Sequence, residues 1–393
     1  MMKILLICHD IPSMTVGATL PIYHLIKNLG KRYSIDLISF NSKKYDIDSL
    51  KEFLNNYYFI DIPEYLDFKS QFLYTVKNMI SFDNLSTHSF LNYYYTTDMS
   101  KLIKEKFNDD YDVVITDMPM AFYAKNINKP KIVYAFDAVS DYNYKMYKKA
   151  DSIASKLYWF FNYCKIHRYE KVYNKFDSCI VVNEKDKLLL EQDIKIPISV
   201  IPNGVDTNYF KNNGSDDEKI VFLGDMSTPP NNDAVRYFVE NIYPKILEDY
   251  EIPFYVVGRN PSDYIKSLAD EKHITVTGSV DDVRTFLTKD SIFITPMISG
   301  TGIKNKILEA MSMELPVVST SIGISGISAK DNEEFLLADN EQEFKNQILR
   351  LTNDNDLKKS IGKKARLFVE TNYSWITSMD SLDEIIKIIT KNN

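Results

Sequence analysis

The segment SIFITPMISGTGIKNKILEAMSMELPVVST (291–320) concentrates residue types that bind phosphate. An apolar run ends at Pro296, and a loop with Ser299, Gly300, Thr301 and Gly302 follows. Ile303, Ile307, Ala310 and Met311 then recur at helical spacing. A strand, a glycine loop and a helix in that order place backbone N–H groups at the carboxyl edge of a sheet, where anions bind. Glycine lets that backbone come close to a phosphate. Lys304 and Lys306 fall in the expected first helical turn, where a cation opposes the macrodipole by a few tenths to about 1 kcal/mol. An anionic ligand at the same end turns that cost into attraction; two snorkelling surface lysines are the plainer alternative. Glu309 lies seven residues beyond Gly302, on nearly the same helical face and about 10 Å along the axis. Its neighbours Leu308, Ala310 and Met311 favour partial burial, and a carboxylate accepts both hydroxyls of a vicinal diol. The pattern fits a nucleoside diphosphate, phosphates on the N–H groups and lysines, ribose on Glu309.

Four further groups sit where an open parallel sheet presents chemistry, at the carboxyl ends of expected strands. Asp117 ends DVVITD and Asp137 follows KIVYAF. Asp137, within AFDAVSDY, is the stronger candidate to touch an acceptor or a donor sugar, and a helix N-cap is the competing role for either aspartate. His9 follows the first apolar run and is a third candidate, against the structural role a lone histidine usually has. A fourth, Arg259, follows the run FYVVG and either lines a nucleotide cleft or lies on the surface.

Ten short β-branched runs supply the frame: 3–8, 34–40, 112–117, 131–136 and 178–183, then 219–224, 254–258, 274–278, 291–296 and 315–320. Continuous apolar strands separated by helix-length stretches are the mark of parallel sheets covered on both faces. Two such sets in 393 residues imply two doubly wound α/β domains, 1–192 and 200–372, joined near Gln192–Pro202 where Pro197 and Pro202 punctuate the chain. The segment 374–393 has a helical pattern on Leu382, Ile385, Ile386 and Ile389. A net charge of −7 argues against nucleic-acid binding, which runs on positive charge. Cys8, Cys164 and Cys179 are too few and too far apart for a disulfide scaffold or a zinc ribbon. No apolar run reaches the length of a membrane span, and the start resembles a buried strand more than a signal peptide. A cytoplasmic setting is expected, with or without membrane association.

One stretch departs from the average. Residues 142–176 hold eight Lys/Arg against two Asp/Glu, a net +6, and eleven aromatics including Tyr158, Trp159, Phe160 and Phe161. Either these are solvated helices whose aromatics pack on the sheet, or the stretch makes peripheral contact with the inner membrane surface or a lipid-linked acceptor.

The 291–320 segment resembles the donor-binding signature of the family 4 retaining glycosyltransferases of GT-B architecture, in particular the branch whose loop reads like GTGIKNKILEAM…LPVVST. PSMTVGATLPIYHLIKNL (12–29) resembles the family's glycine loop and first helix, IPNGVD (201–206) the entry to its C-terminal domain, FLGDMSTPPNNDAVRYF (222–238) the loop after that domain's first strand, and VVGRNP (256–261) the end of its second. The resemblance implies an α/β GT-B fold, two Rossmann-like domains facing each other across a cleft, with the acceptor side N-terminal and the nucleotide-sugar side C-terminal. It also implies that the C-terminal helix crosses back to the first domain. It places Gly17, Gly224, Gly300, Thr301, Gly302, Ile303 and Glu309 against the donor.

Three departures accompany it. Many relatives carry a second acidic residue eight positions before the one matching Glu309, and here that position is Thr301. Many also place an arginine after the glycine matching Gly224 and a lysine a few residues on; here these are Asp225 and Asn231. A histidine frequent near Asp117 is absent. With those cations missing, Lys304 is the first candidate to grip the diphosphate and Lys306 the second, with Asp137 and His9 as further catalytic candidates. The implied activity is retaining transfer of a sugar from a UDP- or GDP-linked donor to the hydroxyl of a glycan or lipid-linked acceptor, in cell-surface polysaccharide or glycolipid assembly. No metal and no cofactor are expected, and the leaving phosphate takes the acceptor's proton. A nucleotide-sugar epimerase or hydrolase of the same fold, or a catalytically degenerate binding subunit, are the alternatives.

Overall fold

The structure, a computed structural model, describes residues 1–14, 19–43, 45–62, 94, 96–212, 217–270, 272–300 and 303–391. The chain forms two compact units, Met1–Pro202 with Met379–Asn393, and Asn203–Ser378. All ten apolar runs lie on strands. The first unit contains β1 (Lys3–Cys8), β2 (Ser34–Asn41), β3 (Asn56–Asp61), β4 (Val113–Asp117), β5 (Lys131–Phe136), β6 (Ser178–Val181) and β7 (Ile198–Val200). They form one parallel sheet in the order β3-β2-β1-β4-β5-β6-β7. Ile4 to Cys8 are wholly buried, because helices cover both faces of the sheet and leave the strand no polar side.

The second unit repeats the plan with β8 (Ile220–Leu223), β9 (Phe254–Val257), β10 (Ile274–Gly278), β11 (Ile292–Thr295), β12 (Val317–Ser319) and β13 (Leu336–Leu337), in the order β10-β9-β8-β11-β12-β13. In each sheet the chain winds outward from its first strand, then returns to its other side. The connections therefore diverge between β1 and β4 and between β8 and β11, and such switch points leave a crevice at the strands' carboxyl ends. Helices covering the sheets include α1 (Val139–Lys149), α2 (Ile153–Glu170), α3 (Glu184–Leu190), α4 (Asn305–Ser312) and α5 (Trp375–Lys391).

Residues 198–200 differ from their reading as linker. They add β7 to the edge of the first sheet, where Cys179 N–H donates to the Pro197 carbonyl at 3.0 Å, a place where flanking prolines are tolerated. Helix α5 starts in the second unit, and from Met379 it belongs to the first. There Leu382, Ile386 and Ile389 are buried, and Asp383, also buried, accepts hydrogen bonds from Tyr33, Arg32 and Lys387. Burial alone would raise the Asp383 carboxyl, but Lys387, Tyr33 and Arg32 outweigh it and hold it below the usual range. Among the described residues no helix is long and apolar enough to cross a membrane.

Candidate functional site

In the second unit the switch crevice is framed by the end of β8, the loop after β11 and the start of α4. Helix α4 turns Ile307, Leu308, Ala310 and Met311 into the core that includes Val221, Phe293 and Val317. Each such side chain contributes roughly 1.5–3 kcal/mol on burial, alanine less. That packing fixes which way Lys306 and Glu309 face. The helix begins at Asn305, two residues later than the expected start near Ile303. Lys304 takes extended dihedrals (φ −97°, ψ 101°) as the N-cap, and Ile303 is half-buried against the same core. Glu309 is therefore four residues past the helix start, about 6 Å along the axis rather than 10.

The Lys306 ammonium lies 4.0 Å from the centroid of the Phe222 ring on β8 and donates to Asn231 Oδ1 at 2.8 Å. Burial, helped by the charge of Lys304 and opposed by Glu309, pushes it down to about 7. Glu309 is pushed up to about 7 by burial, with Lys306 opposing. Both groups thus sit near the boundary between charged and neutral at physiological pH. Burial also lowers Lys304, whose Nζ donates to the Ile322 carbonyl at 2.9 Å.

Asn231 occupies its place because residue 224 has no side chain. A Cβ at Gly224 would stand 2.7 Å from Asn231 Nδ2, which donates to the Asp225 carbonyl at 3.0 Å. Gly258 packs against the same turn, at φ +145°, and a Cβ there would lie 1.8 Å from the Gly224 carbonyl oxygen. At Gly300 (φ +118°) a methyl group would have, among the described residues, Pro230 and Met297 within 4 Å.

Arg259 does not stand free to meet a ligand. Its Nε donates to Asp225 Oδ2 at 2.7 Å, with the side chain 70% exposed. Asp225 also accepts from the Ser227 N–H at 3.0 Å, the Ser227 hydroxyl at 2.7 Å and Asn260 at 3.2 Å. Ser227, then Arg259 and Asn260, hold its carboxyl well below the usual range. The residue in the place of the relatives' arginine thus engages the nearest arginine. Gly17, Thr301 and Gly302 lie outside the described residues.

In the first unit the switch crevice carries His9, just past β1, and Asp117, the last residue of β4. His9 Nδ1 and Asp117 Oδ2 are 2.6 Å apart, and the His9 backbone N–H donates to the same oxygen at 2.8 Å. Both residues are buried. Asp117 Oδ1 has no hydrogen-bond partner among the described residues. Burial lowers the His9 pKa, but the charge and hydrogen bond of Asp117, with Asp10, overcome it and the net shift is upward. Asp117 precedes the short turn Met118–Met120 without capping it, so its side chain serves His9 and not a helix end.

Asp137 follows Phe136, which has φ +65°, an outlying conformation for so bulky a residue; the β5–β6 register shifts at the same point. Residue 137 is exposed as a whole, but its carboxyl is crowded against Asp186 in α3. Burial, then the charge and hydrogen bond of Asp186, push it up to about 6. Asp137 does not cap α1: the cap position is Ala138, and the buried Glu170 accepts from the Ser140 N–H at 3.0 Å instead. Asp137 stands two strands away from His9 in the sheet order, so the two are not a pair. Nothing in the sequence singled out Asp186 or Glu170; 49 positions separate Asp186 from Asp137, and only the pairing of β5 with β6 brings them together.

Residues 217–354 match the family model described as Glycosyl transferases group 1, and residues 17–209 the one described as Glycosyltransferase Family 4. The chain is similar to an uncharacterized 44.6 kDa protein in cps region of Klebsiella pneumoniae, 26% identical over 294 residues, 70% of this chain and 74% of the other. It is also similar to an uncharacterized glycosyltransferase of Methanocaldococcus jannaschii, 29% identical over 209 residues, 51% of this chain and 56% of the other. Among solved structures, Anabaena HepE in complex with UDP matches with TM-score 0.67 at 14% identity, over 98% of this chain and 100% of that one. The sucrose-phosphate synthase of Thermosynechococcus elongatus matches with TM-score 0.66 at 14% identity, over the full length of both. The shared fold is GT-B, two Rossmann-like domains built on parallel sheets.

Proposed function

We propose that this chain, a glycosyltransferase of the GT-B type carrying group 1 and family 4 domains, moves a sugar from a UDP- or GDP-linked donor to an acceptor hydroxyl with retention of configuration. The observation that carries the reading is the Lys306 ammonium held by Asn231 beside the end of β8. A lysine is frequent in relatives at the position of Asn231; here an asparagine at that position draws in a cation from α4. This reverses the order expected from sequence: Lys306 takes the first grip on the diphosphate and Lys304 the second. It also weakens the reading of a degenerate subunit in so far as that rested on Asp225; Thr301, its other support, lies outside the described residues.

The chemistry follows from charge. Cleaving the glycosidic bond to the nucleotide leaves a growing negative charge on the diphosphate, and donors already in place at low dielectric stabilise it more than the ground state. We assign that role to Lys306, Lys304 and the amino end of α4, without a metal. Glu309 takes the ribose diol as acceptor of two hydrogen bonds. Asp137, and His9 backed by Asp117, are assigned to the acceptor or the transferred sugar. HepE has been solved in complex with UDP and also with UDP-glucose, which supports a uridine donor. The similar Klebsiella protein, described by its place in a cps region, supports a role in cell-surface polysaccharide or glycolipid assembly.

A thermal-shift screen with UDP, GDP, ADP and their sugars tests the donor class, with the expected outcome that one base family raises the melting temperature and Lys306→Met sharply reduces the rise. Equal shifts in wild type and variant would remove Lys306 from the site. Radiolabelled donor with and without acceptor extract separates transfer, which needs the extract, from epimerisation or hydrolysis, which do not.

A further inference from the structure

Helices α1 and α2 form an antiparallel pair zipped by aromatic side chains. Tyr142 meets Trp159 with ring centroids 6.1 Å apart, Tyr144 meets Tyr163 at 5.3 Å, and Tyr147 meets Phe160 at 5.7 Å. Only the far end of the basic stretch packs on the sheet, through Ile166, Tyr169, Tyr173 and Phe176. On α2 the buried residues Asn162, Ile166, Tyr169 and Glu170 mark one face. Ile153, Leu157 and Phe160 recur at i, i+4 and i+7 on the opposite one, and they are 80%, 50% and 42% exposed. The helix is thus apolar on both sides, which an ordinary covering helix is not.

The charge beside this ridge is mostly positive, with the exposed Asp151 the one carboxylate between Lys149 and Ile153. Lys148 and Lys149 close α1, and Lys156 shares the outer face of α2 with Ile153 and Leu157. All three are exposed, and none makes an ion pair among the described residues. They lie in a stretch of net +6 within a chain of net −7. The exposed side chains of the ridge amount to on the order of 300 Å², well short of the roughly 800 Å² per partner that a stable protein interface buries. A narrow apolar ridge flanked by lysines without carboxylate partners is matched by a surface that offers dispersed negative charge over a hydrocarbon boundary.

We propose that the α1–α2 pair docks on an anionic lipid bilayer, with Ile153, Leu157 and Phe160 entering the headgroup boundary and Lys148, Lys149 and Lys156 meeting lipid phosphates. The site is separate from the donor crevice and stands whatever sugar is transferred. It puts the chain at the face of a membrane, held peripherally.

Co-sedimentation of the full chain with vesicles tests this, using phosphatidylcholine alone and phosphatidylcholine with about 30% phosphatidylglycerol. The expected result is binding to the anionic vesicles only, weakened by high salt. A lysine near such a surface is worth about fivefold in partitioning, so Lys148→Glu, Lys149→Glu and Lys156→Glu combined should cost about a hundredfold or more. Ile153→Ser with Leu157→Ser should cost a further factor even at low salt. All five positions are exposed, so the circular dichroism spectrum and melting curve should stay unchanged. Failure to bind anionic vesicles, or equal partitioning of wild type and the charge-reversed variant, overturns the proposal. So does a concentration-dependent dimer that Ile153→Ser with Leu157→Ser dissociates, because it assigns the ridge to a second copy of the chain.

Discussion

Binding of a nucleoside diphosphate should draw a proton from solution, and the amount follows from two side chains. Burial pushes Lys306 down to about 7, so in the free protein it is mostly neutral at pH 8.0. Contact with a diphosphate restores the charge and takes up the larger part of a proton. Glu309, pushed up to about 7, is mostly ionised at that pH, and a ribose diol on its carboxylate expels only the small protonated fraction. The net is an uptake of the larger part of one proton per ligand. Isothermal titration calorimetry with the preferred nucleotide diphosphate, in two pH 8.0 buffers of different ionisation enthalpy, reads this uptake directly. In Lys306→Met the uptake should fall sharply, any remainder belonging to Lys304, and the affinity should drop about 10- to 150-fold for loss of a hydrogen bond from a charged group. A wild-type uptake near zero, or one unchanged in Lys306→Met, would refute the placement of the diphosphate on Lys306.

The same variant should melt higher than wild type without ligand, by about 1–3 kcal/mol in unfolding free energy, since a half-buried, poorly solvated amine gives way to an apolar side chain; urea titration measures it, and a loss of stability would contradict the desolvation cost. Gly224→Ala should push Asn231 aside and leave Lys306 without its acceptor, lowering nucleotide affinity as much as Asn231→Ala while the melting temperature moves little. An affinity equal to wild type in Gly224→Ala would show that Asn231 does not position the lysine. The His9–Asp117 pair has the opposite pH sense to a carboxylate pair: with the His9 pKa raised from its ordinary 6.5, its contribution is full below that value and fades as pH rises through the folded one. The stability gap between wild type and His9→Gln should therefore be widest in mildly acidic buffer and narrow toward pH 9, and a gap that widens with pH would reverse the assignment.

Legibility in the sequence followed physical scale. Strands buried on both faces must be apolar along their whole length, so β1, β4, β5, β8 and β11 were plain as runs, and their spacing gave the doubly wound pattern. Edge strands escape that demand: β3, half exposed, β7 and the two-residue β13 carried no such run. The loop and helix of 291–312 stood out as a candidate anion site because glycine, lysine and glutamate stood at helical offsets within one segment. The side chains that tune the sites were not. Asn231 reaches Lys306 across 75 positions, Asp117 reaches His9 across 108, and Asp186 reaches Asp137 only through strand pairing. In each case the partner's type is unremarkable and its meaning lies in a contact that no local pattern encodes. Arg259 shows the converse, since its position after a strand fitted a ligand role and the neighbouring Asp225 claimed it.

The anchoring of α5 has a consequence for how the chain comes off the ribosome. Strand β1 and Tyr33 are made early, yet the Asp383 that Tyr33 binds and the apolar stripe of Leu382, Ile386 and Ile389 are translated only after the whole of Asn203–Ser378. The first unit must wait, incompletely covered, while the second is synthesised. A late stop codon or a frayed tail would then injure the part of the molecule translated earliest, leaving its neighbour, already finished, the sturdier of the two.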